Sequence, residues 1–233
     1  MKINVIVLAG GSGIRMGGPI PKQYITVNGA PIIVHTLLNF QKNNLIDSIT
    51  IVCNKHFIDK TWKIVKENQI SKVTDIVAGG ETGHDSTRNG VFSLKNKLSD
   101  DDFVIIHDAV RPILPQDAIN SMIDVALKKG NACLAVPCYE TVVITDDKIS
   151  GNKEIDRNSF MRIQTPQMYK YEMIRRLYEW AERDNIHDSV YANTLAVHYG
   201  ERIFFSPGFF YNYKITTIDD LPLCKALMSF IGE

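Results

Sequence analysis

The stretch INVIVLAGGSGIRMGGPIPKQY, residues 3–24, is the most informative part of the sequence about the fold. An apolar run typical of a buried strand turns directly into a glycine-rich loop. Glycine lets the backbone approach a ligand closely, so that consecutive N–H groups point at phosphate oxygens, and cations beside such a loop face the same charge. The residues suited to this are Gly10, Gly11, Gly13, Arg15 and Lys22. We therefore predict a strand that leads into a site for a nucleoside triphosphate.

Other glycine-rich loops differ from this one. The stretch lacks the Gly-Lys-Ser or Gly-Lys-Thr ending of a P-loop. A dinucleotide-binding fingerprint has a third glycine and an acidic residue about 20 residues further on, whereas residues 27–41 hold no Asp or Glu. For the loop alone, an ordinary strand-to-helix turn with surface cations remains an alternative. A nicotinamide-dependent oxidoreductase is a further alternative, and a titration with the nicotinamide cofactor tests it.

Length and composition limit the class of protein. A chain of 233 residues suits one large α/β domain. Its 26 basic and 26 acidic residues balance, so no overall field attracts nucleic acid or a membrane surface. The apolar runs are too short for the roughly 20 residues of a membrane helix. Four cysteines without a CxxC pair indicate reduced thiols, so we expect a cytoplasmic protein without a membrane or nucleic-acid partner.

Strand-like and helix-like segments alternate along the chain. The strand-like runs are residues 4–8, 48–53, 74–77 and 103–107. Helical spacing follows Pro31 and Pro115 and recurs at residues 57–69, 86–98, 171–183 and 219–231. This alternation predicts βαβ units around a mostly parallel sheet. Residues 141–160 interrupt this alternation, and their polar sequence predicts a hairpin or arm. An isolated hairpin is rarely stable without further packing.

Several motifs carry a resemblance to a known family. They are LAGGSGIRMG with PKQY, GGETGHDSTRNGV near residue 80, IIHDAVRP, LAVPCYETV at 134–142, DRNSFMRIQTPQMY at 156–169 and YNYKITTIDDL at 211–221. Together they resemble the nucleotidyltransferases that make activated sugars and polyols. The resemblance is nearest to the methylerythritol phosphate cytidylyltransferases and their ribitol phosphate relatives, and it covers nearly the whole chain in the family's order.

The resemblance implies a fold and a reaction. It implies an α/β fold, with residues 1–233 as a single Rossmann-like nucleotidyltransferase domain whose 141–160 arm reaches across to a second subunit of a homodimer. The implied reaction is Mg²⁺-dependent transfer of CMP from CTP to a polyol phosphate, with release of pyrophosphate. Methylerythritol 4-phosphate is the first candidate acceptor, and ribitol 5-phosphate or another polyol phosphate is the alternative. Uridine and thymidine triphosphates stay open as donors.

The resemblance also implies three sets of site residues. The catalytic cations are Arg15, Lys22 and Lys214. The nucleotide-binding residues are Ala9, Gly10, Gly11, Gly13, Gly79, Gly80 and Ser86, with Ser86 near the cytosine. The acceptor-binding residues are Asp108, Arg111, Thr141, Arg157 and Thr165. Asp108 is also the candidate Mg²⁺ ligand, Arg111 either braces its loop or holds the acceptor phosphate, and Arg157 acts across the dimer.

Two segments depart from the family's pattern. The family usually has a basic residue at Gly83, and it carries a Thr-Asp-Asp or Thr-Asp-Glu motif where this chain has Val190, Tyr191 and Ala192. Because that second segment faces the acceptor in the family, a different polyol is an open alternative. The departures also leave room for a non-catalytic nucleotide-binding protein, although Arg15, Lys22, Asp108 and Lys214 speak against it.

Overall fold

A computed structural model describes residues 1–11, 20–187, 189 and 191–231. In chain order its strands are β1 (Ile3–Ala9), β2 (Thr26–Val27), β3 (Ala30–Pro31), β4 (Ser48–Cys53), β5 (Val73–Ala78), β6 (Phe103–Asp108), β7 (Asn131–Pro137), β8 (Val143–Ile144), β9 (Lys153–Glu154), β10 (Met161–Lys170) and β11 (Phe205–Pro207). The helices are α1 (Ile32–Gln41), α2 (Ile58–Glu67), α3 (Gly83–Phe92), α4 (Gln116–Lys129), α5 (Tyr171–Arg183), α6 (Ala192–His198) and α7 (Asp220–Ile231).

Seven strands form the central sheet, in the order β11-β7-β10-β6-β1-β4-β5. Neighbouring strands run parallel except at β10, which is antiparallel to both β6 and β7. The prediction of a mostly parallel α/β sheet is confirmed. Strand β1 lies inside the sheet, and its side chains alternate between two apolar layers, as expected for a strand covered on both faces.

Helices cover both faces of the sheet. Apolar residues of α1, α2 and α4 form one core layer with β1, whereas those of α3, α5 and α6 form the layer on the other face. A smaller cluster joins α7 to the β2–β3 hairpin and to Val110. Among the described residues, no helix is both long and apolar enough to cross a bilayer.

Helix boundaries follow local sequence signals. Pro31 and Pro115 directly precede α1 and α4, as predicted, because a proline at the start of a helix has no N–H to leave unpaired. Helix α4 ends at Gly130, whose φ of 88° suits glycine. The helix predicted at 86–98 was misplaced. It begins at Gly83, because Thr82 and Asp85 form a capping box, and it ends at Phe92.

Strand β10 was missed by the sequence patterns. Thr165, one of the predicted acceptor-binding residues, lies within this ten-residue strand. The register between β10 and β7 shifts between Ile163 and Gln167, so that the residues between them leave the regular ladder. Such irregularities redirect side chains next to active sites. The 141–160 arm does contain a hairpin, formed by the short strands β8 and β9.

The parallel strands bring the candidate motifs to one edge of the sheet. Ala9 at the end of β1 is the register partner of Cys53 in β4, and Leu8 is the register partner of Asp108 in β6. Cys53 is in turn level with Ala78 of β5. The loops after these strands therefore leave the sheet side by side, where open α/β sheets bind their ligands.

Candidate active site

A cleft of about 750 Å³ opens at the carboxyl edge of the sheet. It brings together most of the described residues that the sequence predicted. Those in its lining are Ala9, Gly10, Gly11, Lys22, Gly79, Gly80, Ser86, Asp108, Thr165 and Lys214. Ala9 and Lys214, which are far apart in the sequence, thus share one cleft. Two further predictions, Gly13 and Arg15, lie outside the described residues.

The glycines of the cleft allow close packing around Ser86. A Cβ on Gly79 would lie 2.8 Å from Ser86 Oγ, and one on Gly10 would lie 3.1 Å from it. The Ser86 hydroxyl accepts a bond from the Gly80 N–H at 3.2 Å. Ser86 therefore occupies space that side chains at Gly10 and Gly79 would take. Gly83, by contrast, has nothing within 4 Å of an added Cβ, so the position where the family usually has a basic residue is open space.

Gln23 holds the glycine loop to the PKQY segment. Its side-chain amide donates to Ala9 O at 2.6 Å and to Gly11 O at 3.1 Å. The neighbouring Lys22 is 8% exposed, and its ammonium donates to Ile215 O at 2.8 Å. Gln23 was not predicted as a site residue, although its place in the PKQY motif was a signal. The short 3-10 helix Lys22–Tyr24 therefore connects the glycine loop to the segment that carries Lys214.

Asp108 lies at the centre of a charged cluster. Its Oδ2 is 3.0 Å from Arg111 Nε and 3.1 Å from Lys214 Nζ, and Asp108 is only 7% exposed. Burial raises the pKa of the carboxyl, but the charges of Lys214 and Arg111 outweigh it, so that the pKa of Asp108 lies below its usual value. The Asp108 carboxylate is ionised at neutral pH and orients both cations.

Arg111 makes the contacts of a bracing residue. Besides Asp108, it donates from Nη1 to Asn212 O at 2.8 Å. It is not among the residues that line the cleft. Of the two roles considered for Arg111, these contacts match the one in which it braces the loop. Asn212 was not predicted either, although it lies in the same motif as Lys214.

His107 precedes Asp108 and is fully buried. Its Nε2 lies 3.1 Å from Arg111 O, and its ring packs edge to face against Phe40. Burial lowers the pKa of His107 to about 4, so the imidazole is neutral near pH 7. His107 is therefore a buried residue near the end of β6, and its ring nitrogen contacts the loop that follows.

Tyr191 stands at the Lys214 side of the cleft, just before α6. Its hydroxyl lies 3.5 Å from Lys214 Nζ, and that ammonium is 5.5 Å from the centre of the ring. The start of α6 is held by Gln167, whose side chain bonds with both the side chain and the backbone N–H of Asn193. Both Tyr191 and Gln167 line the cleft. Tyr191 therefore lies in the segment where the family resemblance implies a Thr-Asp-Asp or Thr-Asp-Glu motif.

Two of the predicted acceptor-binding residues lie elsewhere in the described chain. Thr141 and Arg157 are exposed on the arm, and neither lines the cleft. Arg157 donates to Tyr139 O at 3.2 Å, which keeps it on the arm. Their role at the acceptor stays a prediction, and it requires the arm of a second subunit.

The donor atoms of the cleft fit one kind of metal site. No group of three or more His, Cys, Asp or Glu side chains that could hold a metal occurs among the described residues. Mg²⁺ is usually held by one or two carboxylates together with substrate phosphates and water. The cleft offers the carboxylates of Asp108 and Glu81, and both cation contacts of Asp108 fall on Oδ2. This donor set suits a Mg²⁺ ion that arrives with a triphosphate.

Known proteins resemble the chain in sequence over nearly its whole length. The family model for 2-C-methyl-D-erythritol 4-phosphate cytidylyltransferase matches residues 3–229. The ribitol-5-phosphate cytidylyltransferase of Lacticaseibacillus paracasei is 40% identical over 228 residues, which cover 97% of each protein. The 2-C-methyl-D-erythritol 4-phosphate cytidylyltransferase of Syntrophus aciditrophicus is 40% identical over 230 residues, covering 97% of this chain and 96% of that protein.

Solved structures share the fold. The 4-diphosphocytidyl-2C-methyl-D-erythritol synthase of Anaerococcus prevotii superposes with a TM-score of 0.82 at 26% identity, covering 98% of each chain. The 2-C-methyl-D-erythritol 4-phosphate cytidylyltransferase of Francisella tularensis gives a TM-score of 0.82 at 27% identity, covering 97% of this chain and 99% of that one.

Proposed function

Because the chain belongs to the 2-C-methyl-D-erythritol 4-phosphate cytidylyltransferase family and is a cytidylyltransferase, we propose that its acceptor is ribitol 5-phosphate. The observation that carries this choice is Tyr191, whose hydroxyl faces Lys214 at the acceptor side of the cleft. Methylerythritol 4-phosphate, the first candidate from sequence, becomes the second, and the 40% identical relative from Syntrophus aciditrophicus favours it.

The side chains around Lys214 support a hydroxyl-rich acceptor. Asp108, Thr165 and Tyr191 line this part of the cleft with oxygen-bearing side chains. Ribitol 5-phosphate is an unbranched chain with a hydroxyl on each free carbon, so it offers many partners to these groups. Methylerythritol 4-phosphate has fewer hydroxyls and a methyl branch, which polar side chains bind less well.

The glycine loop and the N-terminus of α3 support binding of CTP. The lining from Gly10, Gly11, Gly79 and Gly80 carries no side chains, so phosphate and base could approach the backbone closely. Thr82, Gly83 and Ser86 bring the first turn of α3 to the same wall, where the helix dipole favours negative charge. We expect the triphosphate to extend from this wall towards Lys22.

The reaction needs positioning and charge neutralisation more than proton transfer. An oxygen of the acceptor phosphate attacks the α-phosphorus of CTP and forms a new P–O bond. The bond from that phosphorus to the oxygen bridging to the β-phosphorus breaks, and its electron pair leaves with pyrophosphate. Because the attacking phosphate is already an anion, no general base is required, and Lys22 and Lys214 stabilise the charge that develops.

We expect Mg²⁺ to accompany CTP. When bound, the ion neutralises phosphate charge and helps pyrophosphate to leave. Asp108 would hold it, directly or through water, together with the phosphates of the nucleotide. The same carboxylate orients Lys214, so Asp108 serves both the metal and the catalytic cation.

The arm supports a homodimer. Several large apolar side chains of residues 139–161 are exposed, including Tyr139, Val143 and Phe160, and Ile149 is 92% exposed. Contiguous exposed apolar surface marks protein–protein contacts. A second copy of the chain would cover these residues and bring Thr141 and Arg157 to the partner's acceptor site.

The test is CTP-dependent release of pyrophosphate in the presence of Mg²⁺. Ribitol 5-phosphate, methylerythritol 4-phosphate and related polyol phosphates are compared as acceptors, and each product is identified by mass. We expect the highest kcat/KM with ribitol 5-phosphate. A higher value with methylerythritol 4-phosphate would reverse the order of the candidates. Binding of CTP without turnover on any acceptor would favour a non-catalytic nucleotide-binding protein.

A further inference from the structure

Asn212 lies outside the cleft but contacts the segments that build it. It sits in the irregular stretch between β11 and α7, two residues before Lys214, and only 3% of it is exposed. Its side-chain amide donates to Thr165 O at 2.9 Å and to Gln164 Oε1 at 3.3 Å. A single side chain thus ties the Lys214 segment to β10.

The backbone of Asn212 makes a second connection. Its carbonyl accepts the bond from Arg111 Nη1 at 2.8 Å, and Arg111 Nε lies 3.0 Å from Asp108 Oδ2. The Asp108 N–H in turn donates to Thr165 Oγ1 at 3.4 Å. The contacts therefore form a closed ring that runs from Asn212 to Arg111, Asp108 and Thr165 and back to Asn212.

Lys214 is held in part by this ring, and the neighbouring Ile215 is also bonded to Val110 and Lys22. The Lys214 ammonium lies 3.1 Å from Asp108 Oδ2, so it touches the ring at the residue opposite Asn212. The stretch around residues 212–216 belongs to no helix or strand, and a lysine side chain has many rotamers. Without contacts from neighbouring segments, neither the backbone nor the side chain of Lys214 would be held in place.

We propose that Asn212 is a positioning residue for cytidylyl transfer. Its carboxamide holds the backbone of the Lys214 segment against β10, and its carbonyl orients Arg111 towards Asp108. Both effects place the Lys214 ammonium where charge develops during the reaction. The inference rests on the catalytic role proposed for Lys214.

The experiment is a double-mutant cycle on the full chain. Asn212→Ser and Lys214→Ala are made singly and together, and kcat and the KM for CTP are measured, with thermal unfolding recorded for every variant. A misplaced catalytic group typically costs on the order of 10- to 100-fold, and we expect Asn212→Ser to lower kcat by that factor while KM for CTP changes less than about threefold. In the Lys214→Ala background the same substitution should have almost no further effect.

Two matched variants complete the test. Asn44→Ser changes an exposed asparagine and should leave kcat unchanged. Asn212→Asp keeps the size of the side chain but loses the donor, and it replaces Asn212→Ser if that variant does not fold.

Three results would overturn the inference. The first is an unchanged kcat in Asn212→Ser. The second is an equal loss of kcat with and without Lys214, because Asn212 would then act through the fold in general. The third is full activity of Lys214→Ala. That result would also contradict the catalytic role proposed for Lys214, so it can be distinguished from a failure of the Asn212 inference alone.

Discussion

Lys214 Nζ lies 3.1 Å from Asp108 Oδ2, and Arg111 Nε lies 3.0 Å from the same oxygen. One cation, Arg111, comes from the loop directly after β6, and the other, Lys214, comes from the segment before α7. Because Asp108 is buried and its pKa is lowered, the carboxylate is ionised and holds both cations near neutral pH. An arriving triphosphate therefore meets a cationic group that is already oriented.

Lys22 should be needed for the chemical step. Replacing Lys22 with Ala removes a cation from the cleft, and we expect kcat to fall about a hundredfold or more because charge in the transition state is then less stabilised. Steady-state release of pyrophosphate measures the effect. Lys42→Ala, at an exposed position after α1, is the control. Unchanged turnover in Lys22→Ala would contradict the assignment.

Gly80 and Gly83 should respond in opposite ways to alanine. A Cβ at Gly80 would lie only 2.1 Å from the Cβ of Asp85, whereas one at Gly83 meets nothing within 4 Å. We expect Gly80→Ala to shift the loop and raise the KM for CTP at least about tenfold, since the loop packs closely. Gly83→Ala should leave KM unchanged and stabilise α3 by about 0.5–1 kcal/mol. Equal KM values for the two variants would refute this account of the loop.

Tyr191 should affect binding of the acceptor and not binding of the nucleotide. Tyr191→Phe removes the hydroxyl next to Lys214, and loss of one hydrogen bond of about 1 kcal/mol corresponds to a rise of about fivefold in the KM for ribitol 5-phosphate. The KM for CTP should stay within about twofold. The control is Tyr199→Phe, which removes a hydroxyl that bonds to Asp184. A change in the KM for CTP alone would place Tyr191 on the nucleotide side.

Asp102 should make stability depend on pH in the acid range. It accepts backbone bonds from Lys2 and from Ser99, which anchor the start of β1 and the loop before β6. Burial raises the pKa of Asp102, but these bonds outweigh it and the net pKa lies below the ordinary value of 3.8. The unfolded chain therefore binds more protons, and the contribution is complete above that value and is lost as pH falls through the folded pKa.

Chemical unfolding at several pH values checks this expectation. Asp102→Asn should lower the free energy of unfolding at pH 7 by about 1–3 kcal/mol and flatten its pH dependence below about pH 4. Asp124→Asn, at an exposed position of α4, is the matched control. A variant as stable as the parent at pH 7 would show that the Asp102 bonds contribute little.

Mixing two inactive variants tests the role of the arm. If Arg157 acts on the partner's cleft, a heterodimer of Lys22→Ala and Arg157→Ala has one site with both residues intact. Random exchange of subunits should then restore about a quarter of the parent activity. A mixture of Lys22→Ala with Lys22→Met should restore none. Failure to recover activity, with dimers present by light scattering, would mean that Arg157 does not act across the interface.

The periodic elements could be predicted from the sequence. Strands β1, β4, β5 and β6 are short apolar runs, and α1 and α4 follow prolines, so neighbouring residues encode them. Strand β10 could not be predicted this way. Its segment MRIQTPQMYK contains a proline and several polar residues, so it lacks the apolar run that indicates a buried strand. It becomes a strand because β6 and β7 on either side provide its hydrogen-bond partners.

The alternating α/β pattern, the glycine loop and the family motifs that carry Lys22, Ser86, Asp108 and Lys214 can all be inferred from the amino-acid sequence alone. The contacts that hold these residues in place depend on the tertiary structure. Gln23 reaches back to the glycine loop, Lys22 bonds to a carbonyl 193 positions away, and Asn212 bonds to one 47 positions away. Short-range patterns arise from the repeat of helices and strands, whereas these partners are chosen by burial and by the need of buried polar groups for a hydrogen bond.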